Sequence, residues 1–111
     1  MEKKLGKIET VRFGHGGYQD AMIGLHFTFS GSSWGVCWSE DAWDSEMIKW
    51  TEHCQWKEES RDKQYAGIVR KLSLYLKQAN VHSVDKLKGI PVECTFDGNQ
   101  LKEWRILTEV I

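Results

Sequence analysis

The sequence predicts an α+β domain: an antiparallel sheet of about five strands, in the order β-β-β-α-β-β, with one long amphipathic helix packed on one face. Three observations carry this. From Ala21, the residues Ile23, Leu25, Phe27 and Phe29 alternate with Gly24, His26 and Thr28, the period of a half-buried strand. Over residues 58–79, Tyr65, Ile68, Leu72, Tyr75, Leu76 and Ala79 recur at helical spacing instead. Val92, Cys94 and Phe96 then alternate into Asp97-Gly98, and Leu101, Trp104 and Ile106 climb back, a hairpin signal in which Asn99 and Gln100 lengthen the loop.

At the N-terminal end, residues 5–13 alternate weakly toward apolar through Leu5, Ile8, Val11 and Phe13, consistent with a first strand. Gly14-His15-Gly16-Gly17 reads as a turn or irregular loop. Ser30-Gly31-Ser32-Ser33 reads as a hairpin turn, after which Trp34, Val36 and Trp38 resume the alternation, so the first third is a three-stranded meander. Residues 39–57 follow neither period and are expected to form an ordered loop or a ragged strand.

The helix places Glu58 and Glu59 in its first turn and Lys77 near its last, the arrangement that the macrodipole favours. Arg61, Lys63, Arg70, Lys71 and Lys77 lie largely off the apolar stripe, giving a basic outer face. Each stripe residue contributes roughly 1.5–3 kcal/mol if fully buried, enough together to dock the helix. Gly67 costs about 1 kcal/mol against alanine in a helix interior, which suggests a close approach to the sheet at that turn. Ser83 stands as an N-cap before a short helix at Val84-Asp85-Lys86-Leu87.

A chain of 111 residues is the size of one domain, taken as residues 1–111. A formal net charge of −1 lacks the basic excess of phosphate-binding domains, so no nucleic acid is expected. Cys37, Cys54 and Cys94 are odd in number, widely spaced and without a CxxC, which fits a reducing compartment rather than a disulfide framework. Neither a signal peptide nor a membrane span is read, so the expected location is cytoplasmic.

Two segments are candidate binding sites. The loop GHGGYQD at residues 14–20 could cradle a small nucleotide-like anion on its amides, with His15, Gly16, Gly17, Tyr18, Gln19 and Asp20 as the contacting residues. Phosphate loops normally lead into a helix, whereas a strand follows here, so a wide strand connection is the simpler reading. The second segment is rich in tryptophan and acid. Trp34, Trp38 and Trp104 fall on strand periods and are expected in the core, leaving Trp43, Trp50 and Trp56 as partner-facing candidates. Seven acids stand against two lysines across residues 39–59, a balance that suits a basic protein partner. Exposed tryptophans or an open sheet edge would also favour a homodimer.

No segment carries a catalytic, metal or cofactor signature, and none is assigned. His53 and Cys54 are adjacent, but they and Cys37, Cys94, His15, His26 and His82 follow no zinc spacing. An enzyme of unrecognised type would need Cys54 or another nucleophile within reach of His53, His15 or His82. The leading expectation is a non-enzymatic binding module.

The run FGHGGYQD at 13–20, the run SVDKLKGIPVE at 83–93 and the tail WRILTE at 104–109 together resemble small uncharacterised proteins encoded by tailed phages and prophages. The likeness spans nearly the whole chain, including residues 56–61 at the approach to the helix. It implies an accessory protein acting on a host or phage protein in the bacterial cytosol, and it brings no catalytic residue with it.

Overall fold

The computed structural model describes residues 1–47 and 57–111. Among these, five strands, β1 (Glu2–Gly16), β2 (Met22–Gly31), β3 (Trp34–Trp43), β4 (Pro91–Asp97) and β5 (Gln100–Ile106), form one antiparallel sheet in the order β3-β2-β1-β4-β5. A long helix packs against this sheet: a 3-10 turn over Glu58–Ser60 leads into α1 (Arg61–Ala79). The α+β architecture read from the sequence is therefore the one observed.

The pivot is β1. Its residues from Lys7 to Gly16 pair with β2, and those from Glu2 to Lys7 pair with β4. The register shifts between Ile8 and Thr10, leaving Glu9 as the extra residue of a bulge. The bulge inverts the parity of the strand. Gly6 and Ile8 face inward before it, and Val11 and Phe13 after it, which is why the alternation of residues 5–13 is weak. Leu5, grouped with Ile8 by sequence, falls outside the core at 67% exposure. The glycine run is also shifted from expectation: Gly14 and Gly16 are strand residues, and the chain leaves the sheet only at Gly17, where φ is 68°.

The sheet curls around its inner face. Strands β2 and β5 are three ladder steps apart, about 14 Å in a flat sheet. Yet the Trp104 ring of β5 lies 4.7 Å from Phe29 and 5.1 Å from Phe27. Trp34 of β3 likewise meets Phe96 of β4 edge-on at 5.5 Å. The enclosed core holds Ile8, Leu25, Phe27, Phe29, Val92 and Cys94, with Trp34, Trp38 and Trp104 packed against it as their strand positions predict. Burial in this core raises the Cys94 thiol to about 11, so it stays protonated.

Helix α1 closes the core with Ile68, Tyr75 and Ala79 buried and Tyr65, Leu72 and Leu76 half-buried, the stripe read from sequence. Tyr75 lies tilted against Trp104 with ring centroids 4.8 Å apart and donates its hydroxyl to Glu40 Oε1 at 3.0 Å; Trp38 Nε1 donates to the same oxygen. The helix ends where Asn80 takes φ 57°, with the Val81 N–H returning to the Leu76 carbonyl. Two expectations for this helix change. Arg61 belongs to the interior at 2% exposure, with Glu58 Oε2 3.8 Å from its Nε, so it is no part of the basic outer face. Gly67 does not approach the sheet: an added Cβ would meet nothing within 4 Å. Gly67→Ala is accordingly expected to stabilise the protein by about 0.5–1 kcal/mol, read as a higher denaturant midpoint with unchanged slope. No increase in the midpoint would mean that Gly67 has a role its surroundings do not reveal.

Both hairpin loops are tighter than read. Ser32 and Ser33 alone connect β2 to β3, with Ser33 at φ 68°, and Gly98 and Asn99 alone connect β4 to β5, with Gly98 at φ 62°. Residues 39–43, expected to be irregular, continue β3. At the predicted short helix, Val84–Leu87 is a 3-10 turn, and the Ser83 hydroxyl bonds the Asp85 carboxylate instead of capping it.

Candidate functional site

The two segments singled out by sequence meet at one end of the sheet. After Gly17 the chain makes a 3-10 turn over Tyr18–Asp20, with Gln19 and Asp20 both at φ 55°. It is anchored by the Asp44 N–H donating to the Ala21 carbonyl at 2.8 Å. His15 Nε2 and Asp44 Oδ2 are 2.8 Å apart, tying the end of β1 to the residue after β3. That contact and the Glu46 N–H, which donates to Asp44 Oδ1, hold the Asp44 carboxyl below the usual range, so it is ionised at neutral pH. Tyr18, 68% exposed, stands edge-on to Trp43 with ring centroids 6.2 Å apart.

Next to this aromatic pair lies a cleft of about 280 Å³, lined by Phe13, Ile23, Gly24, Asp44, Tyr65, Ile68 and Val69. It opens between the end of the sheet and the first turns of α1. Phe13 is 46% and Val69 59% exposed, so the cleft is rimmed by apolar side chains in water. The Tyr65 hydroxyl donates to the Trp43 carbonyl at 3.2 Å, and the Ser45 hydroxyl donates to Glu58 at 3.2 Å, fixing the helix start against the end of β3.

Two amides of the glycine loop are engaged within the turn itself. The amides of Asp20 and Ala21 already donate to the carbonyls of Gly17 and Tyr18. Asp44 is bonded to His15, and an Asp41 carboxylate oxygen lies 3.7 Å from where a Cβ on Gly17 would be. The carboxylate tied to this end is Asp44, next to Trp43 in sequence, and Asp20, two residues after Tyr18, is exposed. Of the predicted site residues, His15, Gly16, Gly17, Tyr18, Gln19, Asp20 and Trp43 are thus brought together, whereas Trp50 and Trp56 lie outside the described residues. So do His53 and Cys54, on which the enzyme expectation rested, while His15 engages Asp44.

A second constellation, on the outer face of the sheet, was missed by sequence reasoning. His26 Nε2 donates to the Gly14 carbonyl at 3.0 Å, which leaves Nδ1 of the neutral ring to accept from the Ser39 hydroxyl at 3.2 Å; Asp41 Oδ2 lies 3.8 Å from the same nitrogen. Burial raises the Asp41 carboxyl, opposed by the nearby His26. The signal for this cluster was present: a two-residue turn at Ser32-Ser33 sets His26 opposite Ser39 in the hairpin register. Among the described residues no group of three or more His, Cys, Asp or Glu is placed to hold a metal ion. Nor is any described helix long and apolar enough to cross a membrane. Comparison with protein-family models, with curated proteins and with solved structures gives no match.

Proposed function

We propose that this chain is a non-enzymatic binding module, a phage accessory protein that engages a basic segment of a host or phage protein in the bacterial cytosol. The observation that carries the reading is the convergence of Tyr18 and Trp43 beside carboxylates and an apolar-rimmed cleft. Exposed aromatic side chains with a polar edge are the usual anchors of protein interfaces, and the surrounding acids select a positively charged partner. A lysine or arginine laid on the Tyr18–Trp43 pair would gain cation–π attraction, and an adjacent apolar side chain would fill the cleft beside Phe13 and Val69. The phage assignment rests on the sequence resemblance.

The test is affinity capture from infected bacterial lysate with the wild-type chain and a Tyr18→Ala/Trp43→Ala variant, followed by affinity measurement with the captured partner. Two anchor residues at about 2 kcal/mol each predict a loss of several hundredfold or more, with weaker wild-type binding as salt is raised. Equal affinity of the two proteins for the partner, with the variant folded, would remove this surface from consideration.

A further inference from the structure

We infer that this chain pairs with a second copy of itself along α1, the two helices lying antiparallel about a two-fold axis. The surface is a groove of about 330 Å³ on the flank of the helix, lined by Val69, Leu72, Ser73, Leu76 and Val81, with Lys77 among them. Val69 also lines the cleft beside Phe13 and Ile23, so an apolar surface follows the helix from one end to the other. Phe13 and Val69 are both exposed on it.

This flank is distinct from the face that closes the core. At about 100° per residue, Leu76, Val69, Asp62 and Ser73 fall within about 60° of arc, roughly at right angles to the buried line of Arg61, Ile68, Tyr75 and Ala79. Arg70 and Lys71 lie about 100° and 160° around from Val69, away from a helix docked on this flank. A second helix can therefore lie beside α1 without disturbing its contact with the sheet.

Charge selects the occupant and its direction. The acids of the helix stand only at its start, in Glu58, Glu59 and Asp62, and Lys77 stands near its end. Asp62 and Lys77 are both exposed and make no ion pair among the described residues. The macrodipole accounts for acid first and base last, but not for their sharing a flank with Val69 and Leu76. A parallel copy would set like charges side by side. An antiparallel copy sets Asp62 of each chain against Lys77 of the other, and in an isologous interface that pair forms twice. The same register lays Ala66 opposite Ser73, two small residues that let the helices approach closely. It also carries the exposed Phe13 of one copy, beside the first half of its helix, toward the Leu76 and Val81 groove of the other. Two 19-residue helices side by side make a small interface, so the dimer is expected to dissociate on dilution.

The test is sedimentation velocity of the full chain from micromolar to millimolar concentration, at low and raised salt. Wild type is expected to pass from monomer to dimer over this range, at higher concentration when salt is raised. Asp62→Lys or Lys77→Asp alone should weaken self-association about tenfold or more, and the double reversal Asp62→Lys/Lys77→Asp should recover most of it. Ser73→Arg places a long side chain in the seam and should leave the chain monomeric. It keeps good helix propensity, so it decides the question even if the reversed charges, which oppose the macrodipole, loosen the helix. A wild-type chain that stays monomeric throughout would leave the groove to a different protein and overturn the inference. So would a dimer untouched by Ser73→Arg, or a double reversal no tighter than the single variants with its helix intact by circular dichroism. None of these outcomes depends on partner capture by Tyr18 and Trp43.

Discussion

Replacing Phe27 with alanine is expected to destabilise the protein by about 3–5 kcal/mol. Phe27 is 2% exposed and stands where the curled sheet and the helix meet. Its ring is 5.6 Å from Phe29, 5.7 Å from Tyr75 and 5.1 Å from Trp104, so one side chain links β2, α1 and β5. Removing it costs the transfer free energy of the ring and leaves a space bounded by large rings that cannot collapse without moving two strands. At this chain length each kcal/mol corresponds to a melting shift of about 4–8 °C, so the variant should melt well below wild type, if it folds at all. Leu5→Ala is the internal control, because Leu5 is 67% exposed beyond the bulge and its truncation should stay within about 0.5 kcal/mol. Equal losses at the two positions would mean that the sheet does not curl with Phe27 inside.

Much of this fold was legible because its signals are local and periodic. Strict alternation in β2 identified the inward Leu25, Phe27 and Phe29, and the stripe from Tyr65 to Ala79 identified the inner face of α1. The bulge at Glu9 was not legible: one extra residue inverts the parity of β1 just past the point where its pairing passes from β4 to β2. Arg61 was misplaced for a similar reason. Its charge marks a solvated face by composition, and only tertiary packing puts it inside. The glycine loop and Trp43 were each picked out by sequence, but their union depends on the closing contact between His15 and Asp44, 29 positions apart. The outer-face cluster was within reach, since hairpin register follows from loop length. Reading the turn as four residues instead of two left His26 and Ser39 without a common address.

Gly24→Ala should be the most disruptive small substitution in the chain, costing at least about 3 kcal/mol although it adds a single methyl group. Gly24 pairs with Gly14 on one side and Asp41 on the other. A Cβ built on it would be 2.3 Å from the Glu40 carbonyl oxygen and 2.6 Å from the Asp41 Cα. Both are backbone atoms of the paired strand, so no side chain can swing aside to make room. Its φ of 155° adds a conformation that other residues rarely adopt. Relief would require β3 to move away from β2 around Asp41, which would also displace Glu40 from Tyr75, Trp43 from Tyr18, and Asp41 from His26. Gly14→Ala is the matched comparison, since its nearest contact is the flexible end of Arg12 at 3.4 Å, and it should cost far less. Denaturant unfolding separates the two, and hydrogen exchange should show protection lost first over residues 39–43 in Gly24→Ala. A variant within about 1 kcal/mol of wild type would mean that β2 and β3 are not held this closely, and that the register joining the aromatic end to the outer-face cluster needs revision.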